Sequence, residues 1–143
     1  MTTATLLLDN SAWVRLADSA LPADRAGELA DAVESGRVAA CLPFLLEAGY
    51  SARSARDHHE LLTELLSLPW FAIDEAVEHR ALDAQRQLAR AGHHRLPPVD
   101  LLLGAVADRH GLAVLHYDHD YDVLVEKTDL RFDSVWLAPR GTL

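Results

Sequence analysis

The chain carries 22 acids and 13 bases in 143 residues, a formal net charge of −9, with 50% hydrophobic and 24% charged residues. That is a one-domain length able to bury a core without crosslinks, and an acid balance that excludes passive, charge-driven binding of nucleic acid but not an enzyme that meets phosphates through bound cations. The single cysteine, Cys41, excludes an internal disulfide and a cysteine metal site, and no run approaches the roughly 20 apolar residues of a membrane helix.

Thr5-Leu6-Leu7-Leu8 reads as a buried first strand, ended by Asp9-Asn10-Ser11. The residues before it lack the basic segment of a secretory signal, so a cytoplasmic protein is expected. Ser11 or Asn10 is expected to cap a short helix through Leu16, with Trp13 and Leu16 facing inward. Pro22 to Asp24 opens a second helix; Ala26, Leu29, Ala30 and Val33 follow helical spacing and Gly36 closes it. Val38 to Leu42 is a short second strand, and Pro43 starts a helix to about Arg53 with Glu47 one turn in. A helix over His59 to Leu68 leads to a third strand, Trp70 to Ile73. Glu75 to Ala91 is a long helix ended by Gly92, with Leu82 and Leu88 on its apolar side. After the Pro97-Pro98 breaker, Val99 to His110 is a helix apolar nearly all round, and therefore buried. Ala113 to His116 gives a fourth strand, Asp120 to Glu126 a helix, and Ser134 to Leu137 a fifth strand. Short strands separated by helices imply βαβ units, hence a single three-layer α/β domain over residues 1–143 with a parallel sheet covered on both faces.

Ligands in such sheets bind beyond the carboxyl ends of the strands. Asp9 ends the first strand, Asp118 lies just beyond the fourth, and Glu47 and Asp100 sit in the first turns of helices. Each has a local alternative, since an Asp after a strand caps a helix and an acid in a first turn complements the helix dipole. Two features point past it. Asp100 begins a helix so apolar that its N-terminal end should point into the protein or a cleft, and Glu47 stands between Leu45-Leu46 and Ala48-Gly49. Buried carboxylates need partners, and no nearby run of bases offers them. Clustered oxygen ligands suit Mg²⁺ or Mn²⁺, which orient a water and stabilise charge on a phosphodiester.

Four segments carry a family resemblance. Leu6-Leu7-Leu8-Asp9-Asn10-Ser11, Pro43 to Tyr50 around Glu47, Asp100 to Ala107, and Val114-Leu-His-Tyr-Asp118-His-Asp120-Tyr-Asp122 follow in order through nearly the whole chain. Together they resemble PIN-domain proteins, and among these the VapC-type toxins of bacterial toxin–antitoxin pairs. The resemblance implies a central parallel sheet of about five strands ordered 3-2-1-4-5. It also implies endonucleolytic cleavage of RNA with Mg²⁺ or Mn²⁺. Asp9, Glu47, Asp100 and Asp118 would be the catalytic acids, with Asp9, Asp100 and Asp118 holding the metal. Asp120 would be a fifth acid, and Ser11 a hydrogen-bonding support behind them. Implied partners are an antitoxin that covers the acidic site, a second copy of the chain with the early helices around Trp13 as one candidate surface, and a transfer RNA or ribosomal RNA loop as target. Two positions depart from the family's commonest pattern: Asn10 and His116 stand where Thr is frequent.

The eight histidines do not form a His-Glu-x-x-His pattern, and the adjacent pairs His58-His59 and His93-His94 do not face one another on a helix, so a zinc site is not expected. Asp122 and Glu126 are expected to be surface-helix acids, and Arg15, Arg53, Arg56 and Arg95 exposed charges. Trp13, Trp70, Phe71 and Trp136 are expected in the core or an interface. A haloacid-dehalogenase reading wants Asp-x-Asp after the first strand, where the chain has Asp9-Asn10-Ser11. A receiver wants a lysine at a late strand end, and the only lysine is Lys127. The remaining alternative is a catalytically silent PIN-like module that only binds a partner, which has no need to gather repelling carboxylates.

Overall fold

In a computed structural model of the protein, which describes residues 5–93 and 95–143, strand β1 (Leu6–Leu8) lies inside a four-stranded parallel sheet. β2 (Val38–Ala39) flanks it on one side and β3 (Ala113–His116) on the other, with β4 (Asp133–Trp136) beyond β3. All four residues of β3 are buried, so helices cover both faces of the sheet, as its unbroken apolar run requires.

The expected strand order is kept, with the segment from Trp70 reduced to one parallel bridge, Ala40 to Trp70. Ala40 donates to the Pro69 carbonyl and accepts from the Phe71 amide, after which no partner backbone remains. Leu42 already belongs to helix α3 (Leu42–Tyr50), because Pro43 suits a first helical turn and ends the strand earlier than expected.

The other helices are α1 (Asn10–Trp13), α2 (Ala23–Glu34), α4 (Ala55–Leu65), α5 (Glu75–Arg90), α6 (Pro98–His110) and α7 (Asp120–Lys127). None is long and apolar enough to cross a membrane. Two inward faces differ from expectation. On α2 only Leu29 and Ala32 are buried, whereas Val33 is 47% exposed and borders an open groove with Trp13, Leu16, Ala30, Leu65 and Leu68. On α5 the buried side runs through Val77, Ala84 and Leu88, and Leu82 is 52% exposed, one helical position off that stripe. Trp70 is also largely exposed.

α6 does most to position the site. Seven of its thirteen residues are buried, Asp100 among them. Gly111 ends it in the left-handed conformation (φ 65°), which lets the chain turn straight into β3. At Gly104 an added Cβ would lie 3.2 Å from Leu124 and 3.3 Å from Phe132, so the missing side chain permits close packing.

Candidate active site

β1 ends where the sheet must yield to helix α1, and Asp9 is the residue at that junction. It, rather than Ser11 or Asn10, is the cap of α1: its Oδ2 accepts from the Ser11 amide at 3.0 Å and also from the Ser11 hydroxyl. Its other oxygen accepts from the Tyr121 hydroxyl at 2.7 Å. Asp9 is 3% exposed, so the capping alternative is correct locally and yet leaves a buried carboxylate facing the other acids.

Asp100 stands in the first turn of α6, 6% exposed. Its Oδ1 lies 3.2 Å from the Tyr121 hydroxyl, and its Oδ2 is buried with no hydrogen-bond partner. Burial, then the charges of Asp9, Asp118 and Asp120, push its carboxyl up to about 8. The Tyr121 hydroxyl thus bridges the two carboxylates, with Asp9 its nearer acceptor.

Asp118 follows β3 and Asp120 opens α7. The Asp120 amide donates to Asp118 Oδ1 at 3.0 Å, and burial followed by the Asp118 charge raises the Asp120 carboxyl. One oxygen from each of Asp100, Asp118 and Asp120 falls within 4.8 Å of the others, the only such group of metal-ligating side chains among the described residues. Glu47, on α3, stands apart from that group. It is half-buried, and burial, then the charge of Asp9, raises its carboxyl, with Asn10 partly offsetting this.

The structure thus gathers Asp100, Asp118 and Asp120, joins Asp9 to Asp100 through Tyr121, and leaves Glu47 outside the group of three but within the electrostatic influence of Asp9 and Asp118. Among the described residues no Lys or Arg forms an ion pair with any of the four aspartates. Crowded carboxylates, a buried oxygen without a partner and no compensating cation fit a divalent ion. Among the described residues no histidine joins the group.

Two residues behind the acids escape sequence reasoning. Tyr121 is fully buried, and burial followed by the two adjacent aspartates raises its hydroxyl well above its ordinary value. Asp122, expected as a surface acid, is half-buried and accepts from Ser134 Oγ at 2.7 Å and Trp136 Nε1 at 3.0 Å. Burial alone would raise its carboxyl, but these two hydrogen bonds outweigh burial and hold it low. The available signal was Ser134 and Trp136 alternating onto one face of a strand beside α7.

Among cations near the site, Arg15 lies over the Tyr117 ring at 4.7 Å and donates to the Ser11 carbonyl. Arg95 shares a cavity of about 480 Å³ with His93 and Asp120.

Residues 6–127 match the PIN domain family. The chain is 36% identical over 137 residues to "Ribonuclease VapC51" of Mycobacterium tuberculosis, covering 96% of each chain. It is 37% identical over 142 residues to "Ribonuclease VapC21" of the same species, covering 98% of this chain and 99% of that one. Among solved structures, the DNA-bound VapBC of Salmonella typhimurium aligns with a TM-score of 0.72 over 94% of this chain and 99% of its own, at 17% identity. VapBC-5 of Mycobacterium tuberculosis aligns with a TM-score of 0.62 over 92% of this chain and 99% of its own, at 24% identity. At those identities the structural likeness establishes the fold alone.

Proposed function

The chain belongs to the PIN domain family, and we propose that it is a metal-dependent endoribonuclease, the toxin of a toxin–antitoxin pair. The observation that carries this reading is the uncompensated acidic group: three carboxylate oxygens within 4.8 Å, one of whose residues has a buried oxygen without a partner. The ribonuclease names of relatives matched over almost the full chain support the reaction. Solved neighbours described as VapBC support an antitoxin partner.

In this reading Asp100, Asp118 and Asp120 hold Mg²⁺ or Mn²⁺, with Asp9 behind Asp100. When bound, the ion supplies charge stabilisation to the phosphodiester and lowers the cost of forming a nucleophilic hydroxide. Ser11 and Tyr121 hold Asp9 from both oxygens, so it keeps one orientation as substrate arrives. Glu47 stands outside the group of three and has a raised carboxyl, which suits it to orient the attacking water and take its proton. Arg15 and Arg95 are the cations best situated to meet flanking phosphates. The expected target is a transfer RNA or a ribosomal RNA loop in the cytoplasm. The groove between α1, α2 and α4, lined by Trp13, Leu16, Leu29 and Leu65, offers an apolar seat for a second copy, while the antitoxin is expected over the acidic site.

The test is incubation of total cellular RNA with purified protein and Mg²⁺ or Mn²⁺, new 5′ ends being mapped by sequencing beside the Asp9→Asn protein. Discrete ends made only by the unsubstituted chain are expected. Identical end maps from both proteins would shift the reading to the silent interaction module.

A further inference from the structure

β3 ends in His116, a fully buried imidazole, where the other strands end in Leu8, Ala39 and the half-buried Trp136. A buried imidazole needs partners for both ring nitrogens, and here the partners fix the direction of every proton. The Asp118 backbone N–H lies 3.1 Å from His116 Nδ1, and a backbone amide only donates, so Nδ1 carries a lone pair. The proton of the neutral ring is therefore on Nε2, which donates to Ser134 Oγ at 2.7 Å. Ser134 then has its own hydroxyl proton to give, and gives it to Asp122 Oδ1 at 2.7 Å. Trp136 Nε1 donates to the other Asp122 oxygen at 3.0 Å, closing the chain on a carboxylate that only accepts.

A second chain grips the adjacent amide. The Tyr117 N–H donates to Ser11 Oγ at 2.9 Å, and Ser11 donates to Asp9. Two successive amides after β3 are thus each tied through side chains to a carboxylate, Tyr117 to Asp9 and Asp118 to Asp122. The rings of Tyr121 and Trp136 pack against the imidazole, with centroids 4.8 and 5.0 Å away, so it has little room to turn. Burial holds the ring neutral, down at about 4. The charged groups facing it are Asp122, Asp9 and Asp118.

We propose that His116 is a positioning residue for RNA cleavage: its imidazole, kept in the Nε2–H form by Ser134 and Asp122, holds the Asp118 amide and so sets where the Asp118 carboxylate stands. The proposal rests on the nuclease reading above for its effect on cleavage, and on hydrogen-bond geometry alone for the clamp. Groups that orient metal ligands from behind typically change metal affinity or activity about 10- to 100-fold when removed.

The experiment has three parts on the full chain. Imidazole ¹⁵N spectra of the metal-free protein should show His116 protonated at Nε2 and bare at Nδ1; protonation at Nδ1 overturns the clamp. Mn²⁺ affinity by calorimetry and kcat/KM on a cleaved RNA should both fall about 10- to 100-fold in His116→Leu, and severalfold in Ser134→Ala. His116→Asn, whose amide oxygen stands near the Nδ1 position, should recover most of that loss. Recovery no better than Leu would mean that only packing matters, which overturns the proposal. If His116→Leu does not fold, Ser134→Ala and the tautomer decide. If the unsubstituted protein neither binds Mn²⁺ nor cleaves, the nuclease reading fails and the role in cleavage with it. If it does both and the variants match it, the clamp alone fails.

Discussion

Asp100 and Asp108 stand at opposite ends of α6, and their surroundings treat the same side chain in opposite ways. Asp108 meets Arg80 in a two-point contact, Nε at 3.0 Å and Nη2 at 3.2 Å, and also accepts from the Arg131 amide at 2.7 Å. Arg80 reaches on to Asp129 at 3.1 Å, so one cation serves two acids. Burial by itself would raise the Asp108 carboxyl, but Arg80 and the Arg131 amide overcome it and hold the group ionised. Asp100 has burial without the cation, three aspartates instead, and is raised to about 8. Asp108 is supplied with its counter-charge by the chain, whereas Asp100 is not.

The contrast is most sharply broken at Asp100 itself. Asp100→Asn removes a carboxylate the fold does not compensate, so cleavage should fall by at least about 10²-fold, the scale of a lost charge-stabilising group. Thermal unfolding without metal should stay level or rise, and a clear loss of stability would place Asp100 with the structural acids.

Metal removal and pH probe the same contrast without mutation. Between its ordinary carboxyl value and about 8, Asp100 binds a proton in the folded chain and not in the unfolded one. Stability therefore falls as pH rises through that window, by at most about 1.4 kcal/mol per pH unit. His116 acts oppositely, because folding lowers it from 6.5 to about 4; its contribution is complete above pH 6.5 and is lost as pH falls toward 4. From pH 6.5 to 8 only the carboxyl effect remains, so the metal-free melting temperature should drop, and millimolar Mn²⁺ should restore it. A flat melting curve across that range in the absence of metal would contradict the crowding at Asp100.

Arg80→Met removes the compensating cation at the other end of the helix. It should cost about 1–2 kcal/mol, since the pair is only partly buried, with cleavage unchanged per folded molecule. Arg86→Ala, which breaks an exposed pair with Asp83, should shift chemical denaturation by less than about 0.5 kcal/mol.

Much of this was legible from local pattern. Ala113 to His116 and the helix from Pro98 are continuous apolar runs, and such runs declare burial wherever they pack. The Trp70 segment has strand-like residues but forms a single bridge, because a strand exists only with a partner and the chain turns into α3 after Ala40. Leu82 lies outside the buried side because its phase against Val77, Ala84 and Leu88, not its residue type, decides which way it faces. At the site, four acids at the ends of elements suggested convergence, but distances between segments leave no trace in residue order. Asp120 enters the group of three oxygens, whereas Asp9 reaches Asp100 through a tyrosine hydroxyl. The side-chain partners of Tyr121 and His116 are Asp9 at the start of α1, Asp100 on α6 and Ser134 on β4, and no spacing rule links these segments.

Gly104 lies one helical turn beyond Asp100, where the nearest points of contact for an added methyl are the ends of Leu124, Leu130 and Phe132. An alanine there would require Leu124, Leu130 and Phe132 to give by a few tenths of an ångström, or helix α6 to back away from them and carry Asp100 with it.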